Sequence, residues 1–364
     1  MMLSAAEASR RLSESDPRLP DLPVVLDDDL RAEALGAPSA IERIRYKPGT
    51  AVVAAVRGPD GPVWIASYAA PDKLEKTRRR AAVVRGGVRQ LSAVTMTGPA
   101  HADRLLAPRV RRLLEAEPAL LRESAVLRYN PHRRLLLRWR GHALKIAAGD
   151  DGTGAEVAAR LARAGMPVLP PRRVQKGATS TPWWGDGDLS TRPDAELERR
   201  AGAALAAVHS ASLGAVAPPA VDPAERARCA ADAVAILLPE LEARATRVAR
   251  RLAALLTDPE RVVAHGDLSP DQVLTDGRSV RLIDFDRAVS APAALDLGSH
   301  LAAGGTQALI DGYREAGGRA DPRAVRSWQA LAQLQRAAEP FRTGHPDWPA
   351  RTTAALESAE ELLT

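Results

Sequence analysis

The chain of 364 residues has one cysteine, few aromatics and no long apolar run. Each shortage excludes something. One thiol, Cys229, builds no disulfide framework, no cysteine-based zinc site and no CxxC redox pair. Within RARCAADAVAILL it reads as a small residue on a helix face. Phe, Tyr and Trp make up 3% of the chain, too few for the stacking platforms that bind single-stranded nucleic acid. The core must therefore be built from Ala, Leu and Val. No segment approaches the roughly 18 uninterrupted apolar residues of a membrane span. The opening MMLSAAEASRRLSESD carries acidic residues and no apolar h-region, so it does not read as a signal peptide, and the cytoplasm is the expected location.

What is present is ordinary for a globular protein: 45% hydrophobic and 26% charged residues, in a length that suits two or three structural units. Lys and Arg number 51 against 45 Asp and Glu, a net charge of +6. That surplus fits a small anionic ligand and does not establish nucleic-acid binding. The expected partner is a small molecule, with neither nucleic acid nor membrane.

Residues 1–40 read as short helices broken by Pro17, Pro20, Pro23 and Pro38. From Ile41 the run IERIRYKPGTAVVAAVRGPDGPVWIASYAA reads as three strands and two turns, and a similar run, SAVLRYNPHRRLLLRWRGHALKIAAG, follows. At an offset of 83, Arg45 falls on Arg128, Tyr46 on Tyr129, Pro48 on Pro131, Val52 and Val53 on Leu135 and Leu136, Arg57 on Arg140 and Gly58 on Gly141. This predicts a duplicated β-hairpin unit. Basic helical runs follow the first copy. After the second, GAEVAARLARAGMPV has Val157, Leu161 and Ala164 at helical spacing, stopped by Gly165 and Pro167. PPRRVQKGATSTPWWGDGDLSTRPD reads as a loop-rich link. Residues 194–262 read as mostly helical, strands return only in VVAHGDLSPDQVLTDGRSVRLIDFDRA, and helix resumes from about Ala293. The expected class is α+β, a small β-rich lobe with a larger α-helical one.

The chemistry concentrates in AHGDLSPDQVLTDGRSVRLIDFDRA. Phosphoryl transfer from ATP needs a carboxylate beside the attacking hydroxyl and oxygen ligands for Mg²⁺, fixed in one cleft. The protein-kinase pattern is H-R-D-L-x-x-x-N followed by D-F-G. Here His265-Gly266-Asp267-Leu268 is followed by Gln272, and later by Asp284-Phe285-Asp286. Asp276-Gly277 marks a hairpin turn between them. Such a hairpin brings Gln272 and Asp284 to one open end, where both reach one metal with hard oxygen ligands. Asp267 is the candidate base. The bland alternative makes HGD a turn and lets Asp284 and Asp286 cap a strand end.

Lys145 alternates with Leu144 and Ile146, so it points off the opposite strand face. Glu156, eleven residues on, is placed to pair with it over the α- and β-phosphates; a helix-opening carboxylate favoured by the dipole is compatible with that. In the first copy Trp64-Ile65-Ala66 stand where the second has Leu144-Lys145-Ile146, so the second copy is expected to hold the nucleotide. The turn Asn130–Arg134 has no glycine, and Arg133 or Arg134 is as consistent with a phosphate contact as with a solvated basic turn. Trp183 and Trp184 stand where an adenine meets an interlobe linker, or pack there. His209 reads as a packed structural histidine. Asp296, twelve residues past Asp284, is expected to anchor the catalytic loop, with His265 and Asp286 in supporting roles.

At HGDLSPDQVL and LIDFD the sequence resembles the aminoglycoside phosphotransferase and choline kinase-like family, small-molecule kinases with a protein-kinase-like two-lobed fold. His265, Gly266 and Asp267 match the family's H-G-D-x-x-x-x-N loop; Ile283, Asp284 and Phe285 match its I-D-[FW] metal motif; Lys145 and Glu156 match its lysine and helix glutamate. Gln272 departs from the Asn of that pattern, and its extra methylene shifts metal geometry. The N-terminal unit is similar to the cap of bacterial maltokinases and glucosamine kinases. The resemblance implies a two-lobed kinase-like fold with an added N-terminal α/β cap: residues 1–122 the cap, 123–182 the nucleotide-binding lobe and 183–364 the helical lobe. It implies ATP and Mg²⁺ as cofactors, and a sugar or amino sugar as the hydroxyl acceptor. An antibiotic hydroxyl, a Ser or Thr of a ribosomally made peptide, and a nucleotide-binding pseudokinase are the alternatives. It also offers Glu339, Arg342, His345 and Trp348 as acceptor-pocket residues, where a packed C-terminal helix is the other reading.

Overall fold

The computed structural model describes residues 3–58, 61–149, 152–212, 218–257 and 261–364. The turn residues Pro59 and Asp60 of the first predicted hairpin lie outside them. The chain forms two compact units. One comprises Met1–Asp150, Arg173–Ser180 and Glu339–Thr352; the other comprises Asp151–Arg172, Thr181–Ala338 and Thr353–Thr364.

The first unit is built on two five-stranded antiparallel sheets. One contains β1 (Ile41–Lys47), β2 (Ala51–Gly58), β3 (Gly61–Tyr68), β4 (Arg89–Gln90) and β5 (Thr95–Pro99) in the order β1-β2-β3-β5-β4. The other contains β6 (Ala125–Asn130), β7 (Arg134–Trp139), β8 (His142–Ala147), β9 (Arg172–Gln175) and β10 (Ala178–Pro182) in the order β6-β7-β8-β10-β9. In each, a three-strand meander leads to a helix, Pro71–Ala81 or Gly152–Arg163, and then to a short hairpin. The duplication is therefore of a whole sheet, not of one hairpin. It also corrects the link: PPRRVQKGATSTP holds β9 and β10, strands of four and five residues whose polar sequence shows no period.

Register supports the repeat. Tyr46 pairs with Val52 and Tyr129 with Leu135; Lys47 pairs with Ala51 and Asn130 with Arg134. A buried aspartate clamps each copy at the same place. Asp16 Oδ2 accepts from the Tyr46 hydroxyl and the Gly49 amide, both at 2.7 Å. Asp103 Oδ2 accepts from the Tyr129 hydroxyl and the His132 amide, again both at 2.7 Å. Asp103 also takes the Leu105 amide at 2.8 Å. Burial and the Asp103 charge push the Tyr129 phenol pKa up, so the phenol stays a donor. Asp103 is 1% exposed, so Asp103→Ala strands a buried hydroxyl and two amides. The expected loss is about 3 kcal/mol, read from urea midpoints; a loss under about 1 kcal/mol would show that the clamp carries no weight.

The shared Arg-Gly, by contrast, is not equivalent. Arg57 and Gly58 sit in β2, paired with Pro62 and Gly61, whereas Arg140 and Gly141 are the two-residue turn between Trp139 and His142. The first copy's hairpin is longer there by four residues. Through the pairs Val53–Ala66 and Leu136–Lys145, the counterpart of Lys145 is Ala66, not Ile65.

That register decides the two faces. Val53, Ala55, Trp64, Ala66 and Tyr68 of the first sheet pack in one core with Leu135, Leu137, Leu144 and Ile146 of the second. The other face of the first sheet, with Val52, Ala54 and Ile65, is buried as well, and the helix Leu22–Leu26 packs on β2 and β3. The second sheet has one face in that core. Its other face carries Leu136, Arg138 and Lys145, none of them fully buried.

The second unit is mainly helical. Ala195–Ser210 packs on Gln307–Glu315, Pro223–Leu237 on Glu242–Leu255, and Ala294–Ala302 on Pro322–Arg336. Asp194, Asp222, Thr306 and Asp321 cap four of these helices through side-chain oxygens. Two small sheets lie in this unit: β11 (Gly187–Asp188), β13 (Val273–Thr275) and β14 (Val280–Leu282), and the pair β12 (Val262–Ala264) and β15 (Val289–Ala291). Among the described residues no helix is long and apolar enough to cross a membrane.

Candidate active site

β12 delivers the HGD loop. His265 is fully buried, its ring 4.7 Å from that of Phe285. Its Nε2 donates to the Ile283 carbonyl at 2.7 Å; a carbonyl only accepts, so the ring proton is on Nε2. Gly266 has φ +83°, and a Cβ there would overlap the Arg287 carbonyl oxygen. A glycine is required where the protein-kinase loop has Arg, because the chain passes directly against Arg287.

Asp296 ties this loop down. It is fully buried and accepts from the His265 amide at 2.6 Å, the Gly266 amide at 2.8 Å and His209 Nε2 at 3.0 Å. Burial pushes its carboxyl up, but the His209 bond and the nearby donors outweigh this and hold it below the usual carboxylate range. His209 Nδ1 in turn lies 3.0 Å from the Tyr313 hydroxyl. His209 is buried, as expected, and it also steadies the loop anchor, a role its sequence context does not reveal.

The hairpin β13–β14 forms as expected, with Val273 paired to Leu282. At its open end the Ile283 amide donates to the Gln272 carbonyl at 3.1 Å, and Asp284 follows directly. Asp284 adopts the left-handed region, φ 62°, ψ 55°, a conformation an Asp holds only where its surroundings impose it. Asp286 lies in the 3-10 turn Phe285–Arg287. The start of the helix Gly152–Arg163 presses on that turn: a Cβ at Gly154 would stand 2.5 Å from the Phe285 carbonyl oxygen.

Asp267 itself is half exposed, at 55%, and its Oδ1 lies 3.4 Å from Arg287 Nη1. Burial against the loop pushes its pKa up; Arg287 and His265 oppose this, while Asp284 and Asp271 add to it. Arg287 directly follows the IDFD run, a position that the run itself does not flag.

The remaining expected residues fall in both units. Lys145 stands on the open face of β8 in the first unit, between the buried Leu144 and Ile146. Arg133 and Arg134 follow the turn whose His132 amide is held by Asp103. Glu156 belongs to the second unit, 53% exposed and 3.3 Å from Arg160 one turn on. Trp183 is 44% exposed, and the Arg281 guanidinium stacks 5.7 Å from the Trp184 ring. Glu339, Arg342, His345 and Trp348 lie in the first unit. There Glu339 pairs with Arg43 at 2.6 Å and Arg342 at 2.8 Å, and Trp348 is buried against Phe341, which meets Tyr46 of β1.

Solved structures with this fold are similar to the chain at low identity. A choline/ethanolamine kinase family protein from Mesorhizobium loti aligns at TM-score 0.52 and 21% identity, over 71% of this chain and 94% of its own. The GDP complex of an aminoglycoside 2′-phosphotransferase-IIIa mutant aligns at 0.52 and 17%, over 70% and 97%. A spectinomycin phosphotransferase in complex with ADP and spectinomycin aligns at 0.50 and 13%, over 69% and 93%. These likenesses show the fold, the two-lobed α+β fold of small-molecule kinases. No curated protein matches the chain. The sequence profile of the phosphotransferase enzyme family (APH), however, matches residues 109–334, a span that takes in the second sheet, the HGD loop and the IDFD hairpin. The chain belongs to that family and is a phosphotransferase enzyme, a kinase with an alcohol group as acceptor.

Proposed function

We propose that the enzyme transfers the γ-phosphate of ATP to a hydroxyl of a small polar metabolite, with a sugar or amino sugar the leading acceptor. The observation that carries this reading is the loop–hairpin arrangement: Asp267 on a loop tethered by Asp296, and Gln272 and Asp284 at one hairpin end. Asp267 accepts the acceptor's proton as the new O–P bond forms and the bond from the γ-phosphorus to the β–γ bridging oxygen breaks, releasing ADP. Lys145 is the residue assigned to the phosphates, and Glu156 the one assigned to steady it. Arg133 or Arg134 reaches them from the pinned turn, and Trp183 or Trp184 lies against the base. The open face of β8 supports this assignment over the first copy, where Ala66 occupies the lysine's position and is fully buried.

The donor set fits Mg²⁺. Among the described residues no group of three His, Cys, Asp or Glu is gathered as for a protein-caged metal. Mg²⁺ is commonly held by one or two protein oxygens, with phosphates and water completing its shell. Gln272 and Asp284 supply two such oxygens. Bound there, the ion would neutralise charge on the triphosphate. GDP and ADP in the related structures support a purine nucleotide here.

The test is an ADP-release assay with ATP and Mg²⁺ over sugars, amino sugars, aminoglycosides and amino alcohols, with Asp267→Asn as control. Acceptor-dependent release that the variant loses is the expected result. Failure to bind ATP at all would overturn the reading.

A further inference from the structure

Two arginines of the second unit lie near Asp267. Arg287 ends the turn Phe285–Arg287 and reaches Asp267 at 3.4 Å. The segment that opens the helix Pro223–Leu237 is stitched to the strand that follows Arg287. Ser290 donates to the Pro219 carbonyl at 2.8 Å, Val221 donates to the Ser290 carbonyl at 3.3 Å, and Ala220 and Ser290 form a parallel bridge. Asp222 caps the helix through the Glu225 amide at 3.0 Å, so Arg226 stands at the end of its first turn. From there its charge reaches Arg287, Asp267 and Asp296.

Arg226 is half-buried, and among the described residues its guanidinium makes no hydrogen bond or ion pair. Of the two carboxylates within reach, Asp296 is already committed to His209 and two loop amides. Asp267 thus has Arg287 in contact and the Arg226 charge nearby, with the Asp284 and Asp271 carboxylates also acting on it. A partly desolvated cation with no partner is costly unless a ligand supplies the anion, and a guanidinium fork matches carboxylate or phosphate oxygens geometrically.

Resting on the kinase reading above, we propose that Arg226 and Arg287 form an oxyanion subsite beside Asp267, and that the hydroxyl acceptor carries a carboxylate, phosphate or sulfate group bound there. This sets the enzyme apart from kinases whose acceptors are cationic, such as choline or an aminoglycoside. Within the sugars and amino sugars, it favours those that also carry an acidic or phosphate group.

The test is calorimetric titration of sulfate into the full chain loaded with Mg²⁺ and a non-hydrolysable ATP analogue. The analogue fills the γ-phosphate position, so the titration reads a second anion. A saturable site is expected, with Kd raised at least tenfold in Arg226→Gln and restored to within threefold in Arg226→Lys. The Lys variant separates lost charge from a lost fold. No saturable binding, or binding that Arg226→Gln leaves unchanged, overturns the subsite. Binding seen with ADP but abolished by the analogue assigns the pair to the transferred phosphoryl group and overturns it too. If the analogue itself does not bind, the kinase reading fails, and the same titration of nucleotide-free protein still reads the arginine pair. In the ADP-release assay, matched acceptors such as glucose, glucosamine, gluconate and glucose 6-phosphate are compared. The anionic members are expected to have the higher kcat/KM, and the reverse order refutes the acceptor class.

Discussion

Asp267→Asn is expected to lower kcat by about 10²–10⁴-fold, the range lost with a general base, while KM for ATP stays within about twofold. Asn preserves the shape of the loop and removes only the proton acceptor. The pH profile gives a second reading of the same group. Burial holds the Asp267 pKa above its usual value, against the pull of Arg287. The base works when ionised, so a raised pKa moves the acid limb of kcat/KM upward, above the ordinary carboxylate range. Arg287→Gln removes the charge that lowers it and moves the limb higher still. A limb that stays at ordinary carboxylate pH, or one indifferent to Arg287, would show that another group takes the proton.

Asp296→Ala is expected to be the most destabilising single change at the site. It strands two buried loop amides and the His209 ring together. The expected loss is about 3–5 kcal/mol, the cost of breaking a buried charged network. In a chain of this size that lowers Tm by about 5 °C. The effect has a predictable pH course. The folded-state pKa of Asp296 is depressed, so its contribution is fully present above the unfolded carboxylate pKa. It is lost as pH falls through the depressed value. Wild type and variant should therefore converge in acid. A difference under about 1 kcal/mol at neutral pH would mean that the HGD loop is held by something else.

Much of this centre is legible in the chain because its parts are local. HGD, Gln272 and IDFD lie within 22 residues, and Asp276-Gly277 names the hairpin that folds them together. The duplicated Arg-Tyr-x-Pro turn is equally local. What escapes notice is what depends on distance or on very short elements. The pairs β4–β5 and β9–β10 are too brief for an alternating pattern to accumulate. The aspartates that clamp Tyr46 and Tyr129 precede them by 30 and 26 residues, in unlike surroundings. The repeat offset changes within each copy because one hairpin is four residues longer, so the offset of the first turn sets Lys145 on Pro62, and aligning it with Ile65 still misses Ala66 by one residue, which in a strand is the opposite face. Arg226 has no local motif at all; only the bridge from Ala220 to Ser290 shows where it goes.

Two sheets of one topology in tandem also create a hazard for the folding chain. Similar neighbouring repeats are prone to exchange elements as they assemble. Here β8 could in principle add to β2 in place of β3, with the same strand order and the same leading turn. The faces oppose it. The exchange would carry Lys145 into the place of Ala66, among Trp64's former neighbours in a dry core, and leave Trp64 and Tyr68 with only one sheet face to cover them. An uncompensated buried ammonium costs several kcal/mol, enough to make the wrong partner a rare one. Lys145, proposed above as a phosphate ligand, would then also act as a proofreading mark, telling the two copies apart before either has finished folding.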